Sequence, residues 1–290
     1  MDKNKKILII LLILLSIGLT FIMIYLLNNS FNFNITNGTS NELIYDKNFE
    51  NIYDSINIKS EAANIYIKQS NDNNINIKIY GNTNYSSINN SNNILYIEGN
   101  TEKCSFFCIN KKSAKIEVYL PKDYDKSIEI YTNVSNIDID NFQFATLISR
   151  TNVGDININN INKADIKNET GDVNIENINI GIINLNTGDI IINNINEIDG
   201  KTNTGDININ KINNYLYLSS NTGDIKIDNL NIDKNSEIKN NIGDIVIKNT
   251  NEIYISAKTD IGDIKINNNY RNAIYELNIT NDIGDIKIDN

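Results

Sequence analysis

The sequence predicts an all-β chain, a single-stranded β-solenoid (parallel β-helix-like) behind an N-terminal transmembrane helix. Three observations predict it. First, eight Gly-Asp pairs recur in the second half at intervals of 17, 17, 17, 18, 20, 19 and 22 residues. A period in that range marks a repeat architecture whose units bury their apolar sides only by stacking on neighbours. Second, every pair is followed by two β-branched residues in strict alternation. Third, residues 7–27 form an uninterrupted apolar run apart from Ser16, Gly18 and Thr20.

Taken in chain order, residues 1–28 read as a cytoplasmic tip and a signal anchor. The 21 residues from Ile7 to Leu27 suffice to cross a hydrocarbon core, which needs about 20. Lys3, Lys5 and Lys6 precede the run and no Lys or Arg follows until Lys47. The positive-inside bias places the N-terminus in the cytoplasm and the body outside, in a single pass. A cleaved signal peptide is the rival reading. Its apolar stretch is shorter, about 7–15 residues with an A-x-A-like site, and no Cys at the end of this run offers a lipobox.

Residues 29–42 are a polar tether rich in Asn, Ser and Thr,. Residues 43–150 are an irregular N-terminal β region of the solenoid. Ile56-x-Ile58, Ile65-x-Ile67, Ile75-x-Ile77-x-Ile79 and Ile116-x-Val118-x-Leu120 alternate with period two, as half-buried strands do,. Pro121, the only proline, ends one of them, where its missing N–H costs least,. A weaker repeat stands at Ser135-Asn136-Ile137-Asp138-Ile139, with Ser-Asn in place of Gly-Asp.

Residues 151–290 hold the regular repeats. Their corners are Gly154, Gly171, Gly188, Gly205, Gly223, Gly243, Gly262 and Gly284, each followed by Asp155, Asp172, Asp189, Asp206, Asp224, Asp244, Asp263 or Asp285. Counting from each Gly, positions +2 and +4 are Ile or Val in all eight units, with mostly Asn, Lys, Asp or Glu between and after them. Such residues suit a pleated, packed surface. The Gly provides a corner that can take positive φ. The Asp can fold onto nearby N–H groups as an Asx-turn. Asn at +6, in six of the first seven units, tolerates the left-handed region and can ladder its amides between coils. Coils about 4.8 Å apart would extend the eight regular units over about 40 Å.

Stacking puts the eight Asp carboxylates in a column. A calcium-binding ladder is one reading, but the Gly-Gly-x-Gly-x-Asp core of calcium β-rolls is missing and the period is twice as long. A structural turn role is favoured, with no metal and no cofactor. Cys104 and Cys108 are the only cysteines. Outside the membrane they suit a small disulfide loop if the segment turns, since an extended strand would hold them too far apart; free thiols are the alternative. Catalysis gets little support: the chain has no His, no G-x-S-x-G elbow and no phosphate-cradling loop.

The net charge is −10 for the whole chain. Removing the first 28 residues takes away three lysines and one aspartate, leaving 23 basic and 35 acidic side chains and a charge of −12. That balance argues against nucleic acid and against adsorption to anionic lipid. The expected partners are the bilayer through residues 7–27 and a protein at the C-terminal coil. The chain stops directly after its last repeat strand with no capping unit, and solenoid ends normally need one. Self-association or a partner protein there is the expectation.

The Gly-Asp-Ile-x-Ile repeats, with the strand Ile116-Glu117-Val118-Tyr119-Leu120-Pro121 leading to Ile128-Glu129-Ile130-Tyr131-Thr132-Asn133, resemble a bacterial β-strand-repeat domain family of unknown function labelled putative adhesin. The resemblance covers roughly residues 45–290. It implies a β-solenoid at the cell envelope, often on a membrane helix, with some relatives encoded beside envelope-stress regulators. It implies no catalytic or ligand residues. The expected function is a non-enzymatic surface protein, adhesin-like or scaffolding. The alternatives are an accessory of an envelope-stress system acting through a membrane partner, and a glycan-active β-helix enzyme.

Overall fold

The computed structural model describes residues 42–81, 85–100 and 114–289. The expected membrane helix and tether and the Cys104–Cys108 pair lie outside the described residues. No helix among the described residues is long and apolar enough to cross a membrane. What is described is all-β, within one compact unit.

The regular part explains the rest. Strands β10 (Ile156–Thr170), β11 (Val173–Thr187), β12 (Ile190–Thr204) and β13 (Ile207–Thr222) stack in parallel, each one full coil. Positions +2 and +4 point inward; Ile156, Ile175, Ile209 and Ile227 are all buried. The strand then bends, because the inward positions move to a spacing of three: Ile158, Ile161 and Ala164 are buried in succession in β10. Each coil therefore has three short inward faces, filled by +2/+4, by +7, and by the stretch before the next corner. On that third face large and small residues compensate. Gly181 is followed by Ile183, and Gly200 is preceded by Ile198, whose Cδ1 lies 3.1 Å from where a Gly200 Cβ would be. Interiors packed to this density tolerate neither voids nor extra methyls.

Toward the C-terminus the coil is split into shorter strands: β14 (Ile225–Leu230), β15 (Ser236–Ile242), β16 (Ile245–Lys248), β17 (Tyr254–Ile261), β18 (Ile264–Ile266), β19 (Glu276–Ile283) and β20 (Ile286–Asp289). Here the spatial order departs from chain order. β15 pairs with β19, not β17, and β16 pairs with β20, not β18. β17 and β18 then stack on the far sides of β19 and β20. The last repeat of the sequence is inserted between the Gly243 and Gly262 coils, and the Gly262 coil is the end of the stack. The expectation that the chain's final coil is the uncapped one is corrected: residues 276–289 have a strand on both sides. The longer intervals around Gly262 supply the chain needed to step over one level and return, chiefly in the loop at 267–275.

The opposite end is threaded the same way. Its strands are β1 (Leu43–Phe49), β2 (Ser55–Ser70), β3 (Ile75–Tyr80), β4 (Tyr85–Ser91), β5 (Ile94–Asn100), β6 (Ala114–Pro121), β7 (Ser127–Val134), β8 (Ile137–Asn141) and β9 (Leu147–Val153). The early strand β2 lies between β5 and β6 on one side and β7 and β8 on the other. β7 continues to β9, and β8 and β9 stack on β10. Unlike the far end, this one is covered. β3 runs antiparallel on β6 and carries β1, while β4 runs antiparallel on β5. Its interior is partly aromatic: Phe142 stacks on Phe144 at 4.8 Å, and Tyr124 meets Phe144 edge-on at 6.1 Å.

Candidate functional site

All eight Gly-Asp corners form one column, in the spatial order 154, 171, 188, 205, 223, 243, 284, 262. Each Gly has φ between +132° and +147°. A Cβ at Gly205 would also stand 2.0 Å from the Gly188 carbonyl oxygen, and one at Gly284 equally close to that of Gly243. Backbone conformation and the neighbouring coil both exclude a side chain.

The Asp residues act between coils. Asp155 Oδ1 accepts the Asp172 N–H at 2.9 Å, Asp189 that of Asp206 at 2.7 Å, Asp244 that of Asp285 at 2.8 Å, and Asp285 that of Asp263 at 2.9 Å. The expectation of a local Asx-turn is corrected: the acceptor reaches the adjacent coil, so each corner fastens the next. At the covered end the same place is held by neutral amides. Asn136 Oδ1 accepts from Asp155 N at 3.0 Å, and Asn64 Oδ1 from Asn136 N at 3.2 Å. Ser135-Asn136 is thus a corner in full register. Among the described residues no group of three or more His, Cys, Asp or Glu side chains could hold a metal ion.

A second, inner column was not foreseen. Three residues before six of the eight corners, a small polar side chain turns inward and donates to the Gly carbonyl of the adjoining coil or corner. Asn168 Nδ2 reaches Gly154 O at 2.7 Å, Thr202 Oγ1 reaches Gly188 O at 3.1 Å, and Asn281 Nδ2 reaches Gly243 O at 2.9 Å. Position −3 is Thr151, Asn168, Leu185, Thr202, Ser220, Asn240, Thr259 and Asn281. Seven polar residues at an inward-facing phase were the available signal, hidden by the general abundance of Asn.

Outward, amide ladders run along the stack. Asn179 donates to Asn162, Asn196 to Asn179 and Asn213 to Asn196 at 2.7–3.1 Å. Another ladder joins Asn186, Asn203, Asn221 and Asn241. The expected +6 ladder forms at Asn177–Asn194, 2.8 Å apart. Among the described +6 residues the left-handed backbone is found at Asn249 alone (φ 48°), a correction: the others turn without a positive φ. An open groove lies along the outside of the coils, lined by Asn157, Asn174, Glu176, Asn193 and Asn210, over the backbone of the inward-pointing Ile158, Ile175, Ile192 and Ile209.

One charged cluster sits on the covered end. Glu117, 4% exposed, accepts from Lys68 at 2.8 Å, from Tyr119 at 3.0 Å, and pairs with Lys115 at 3.1 Å. Burial alone would raise its carboxyl, but the hydrogen bonds from Lys68, Lys115 and Tyr119 outweigh that and hold it at about 2. Burial, then Glu117 itself, pushes the Tyr119 hydroxyl up to about 12. A carboxylate so held has no proton to give near neutrality. It ties β2 to β6.

Against known proteins, no curated protein matches the chain. Solved structures do. A "putative adhesin" from Bacteroides fragilis is 17% identical, with 87% of this chain and 99% of that one covered and a TM-score of 0.47. One from Parabacteroides distasonis is 12% identical over 86% and 99%, TM-score 0.49. A "putative lipid binding protein" from the same species is 13% identical over 87% and 98%, TM-score 0.41. The domain pattern of Toastrack DUF4097 matches residues 53–214 and 182–290, nearly the whole described body, and the chain belongs to that family.

Proposed function

We propose that this chain is a non-enzymatic, adhesin-like protein of the bacterial cell envelope, held to the membrane by residues 7–27. The observation that carries this reading is the use the fold makes of its polar groups. The corner carboxylates accept backbone N–H groups of the adjacent coil, and the buried Glu117 is held by two lysines and a tyrosine. The acids recur coil by coil instead of converging on one cleft, as a general acid and base would need to. What the outer surface offers in quantity is amide, arrayed in rows at the coil rise and bordering an open groove. Such a surface suits repeated hydrogen bonding to a polymeric or cell-surface ligand, many weak contacts acting together.

The test has two arms. Deleting residues 1–28 should release the protein from the membrane fraction of cells that retain the full chain. Beads carrying the full chain in detergent should bind cells or extended glycans, and changing Asn174, Asn193 and Asn210 together to Asp should abolish that. Beads that bind no cell or glycan would sink the adhesive reading, and a membrane-retained deletion would sink the anchor.

A further inference from the structure

We propose that the free edge of β17 pairs antiparallel with the same edge of a second copy of this chain, about a two-fold axis at Thr259. The Tyr254 N–H donates to Tyr275 O, so that residue faces the stack. Ile255 faces the other way, and the Asn269 side chain meets both its N–H (2.9 Å) and its C=O (2.8 Å), as a neighbouring strand would. Alternation along a parallel strand then turns the backbone groups of Ala257 and Thr259 to the same outer edge. Among the described residues no strand lies there. Beside it Ile264 is 43% exposed, although its equivalents in inner coils, such as Ile225 and Ile245, are fully buried.

The charges on β17 select the occupant. Lys258 and Asp260 flank Thr259 and are paired with each other at 2.8 Å. Lysine on an edge strand ordinarily deters pairing. In a two-fold antiparallel pair centred on Thr259, however, each Lys258 stands opposite the partner's Asp260, which favours the pair. A strand with two like charges at these places would repel its own copy. The other end of the stack is covered by β1, β3 and β4, so copies cannot add head to tail. The assembly closes at two.

The test uses the full chain in detergent micelles, with Cys104 and Cys108 changed to Ser. Sedimentation over a concentration series should show a monomer–dimer equilibrium and nothing larger. Lys258→Glu and Asp260→Lys, each on an exposed side chain, should each weaken the dimer by about tenfold, through two symmetric cross-strand pairs. The double exchange should restore it. Mixing Lys258→Cys with Asp260→Cys protein should give a disulfide-linked dimer that neither gives alone, with the second ion pair intact. A strict monomer, single changes without effect, or equal crosslinking by either variant alone would overturn the proposal.

Discussion

The two ends of this stack are threaded alike and finished differently. At one, the early strand β2 is clasped between later ones; at the other, the final repeat is inserted behind its predecessor. Both devices give an out-of-order segment a strand on each side, so residues 276–289 cannot fray without opening an adjacent coil. At the covered end the outermost strands then receive antiparallel partners, and the interior widens to hold Phe142, Phe144 and Tyr124. At the open end isoleucines laid down in the repeat's inward phase stand in solvent: of the sixteen +2 and +4 residues, only Ile264 and Ile266, both in the Gly262 coil, escape full burial. The lesson is that burial in a solenoid belongs to the neighbouring coil as much as to the residue.

The sharpest way to break that comparison is at the corners. Gly284→Ala, squeezed against the Gly243 carbonyl with a coil on each side, should cost at least about 3 kcal/mol, from a positive φ and an overlap that cannot relax. Gly262→Ala makes the same overlap with Gly284 O but lies in a coil free to shift outward, and should cost clearly less in urea unfolding. Next come the columns. Ile286→Ala, fully buried in the inserted coil, should cost about 2–5 kcal/mol, whereas Ile264→Ala at the same repeat position should cost under about 1 kcal/mol. Equal losses would show that the end coil is packed after all.

The Asp ladder gives a smaller contrast. Asp206→Ala removes the acceptor for Asp224 N–H and should cost about 1 kcal/mol. Asp206→Asn keeps an acceptor, as Asn64 and Asn136 already do at the covered end, and should be close to neutral. Smaller again is the pH response. Glu117 is held at about 2 against an ordinary 4.5, so its contribution is present above about pH 4.5 and is lost as pH falls toward 2. Melting curves from pH 6 to pH 2 should converge for wild type and Glu117→Gln; parallel curves would remove Glu117 from the clasp. Millimolar calcium should leave the melting temperature unchanged, and a rise reversed by chelator would reassign the carboxylate column.

Much of this was legible because solenoid packing is periodic and so is its sequence. The Gly-Asp spacing located the corners, and the Ile phase located the interior. The Asx-turn expectation failed for a physical reason: a short carboxylate at a corner can reach its own backbone or the coil 4.8 Å away, and composition does not distinguish them. The donors at position −3 were equally in view, yet Asn is so common outside that an inward row of Asn, Thr and Ser did not stand out. Glu117 gave no signal, since its partners Lys68 and Lys115 come together only through β2–β6 pairing.

By itself the sequence determined which side chains face inward, where the chain turns, and that Gly stands at each Gly-Asp turn, because alternation and backbone sterics are local. Only the tertiary structure decided which coil touches which. Any two repeats here offer each other nearly the same isoleucine columns and the same Gly-Asp fastener, so stacking energy scarcely distinguishes neighbour from next-neighbour. The lengths of the connecting loops break that degeneracy, and they put the last repeat inside the stack and leave Tyr254–Ile261 at its edge.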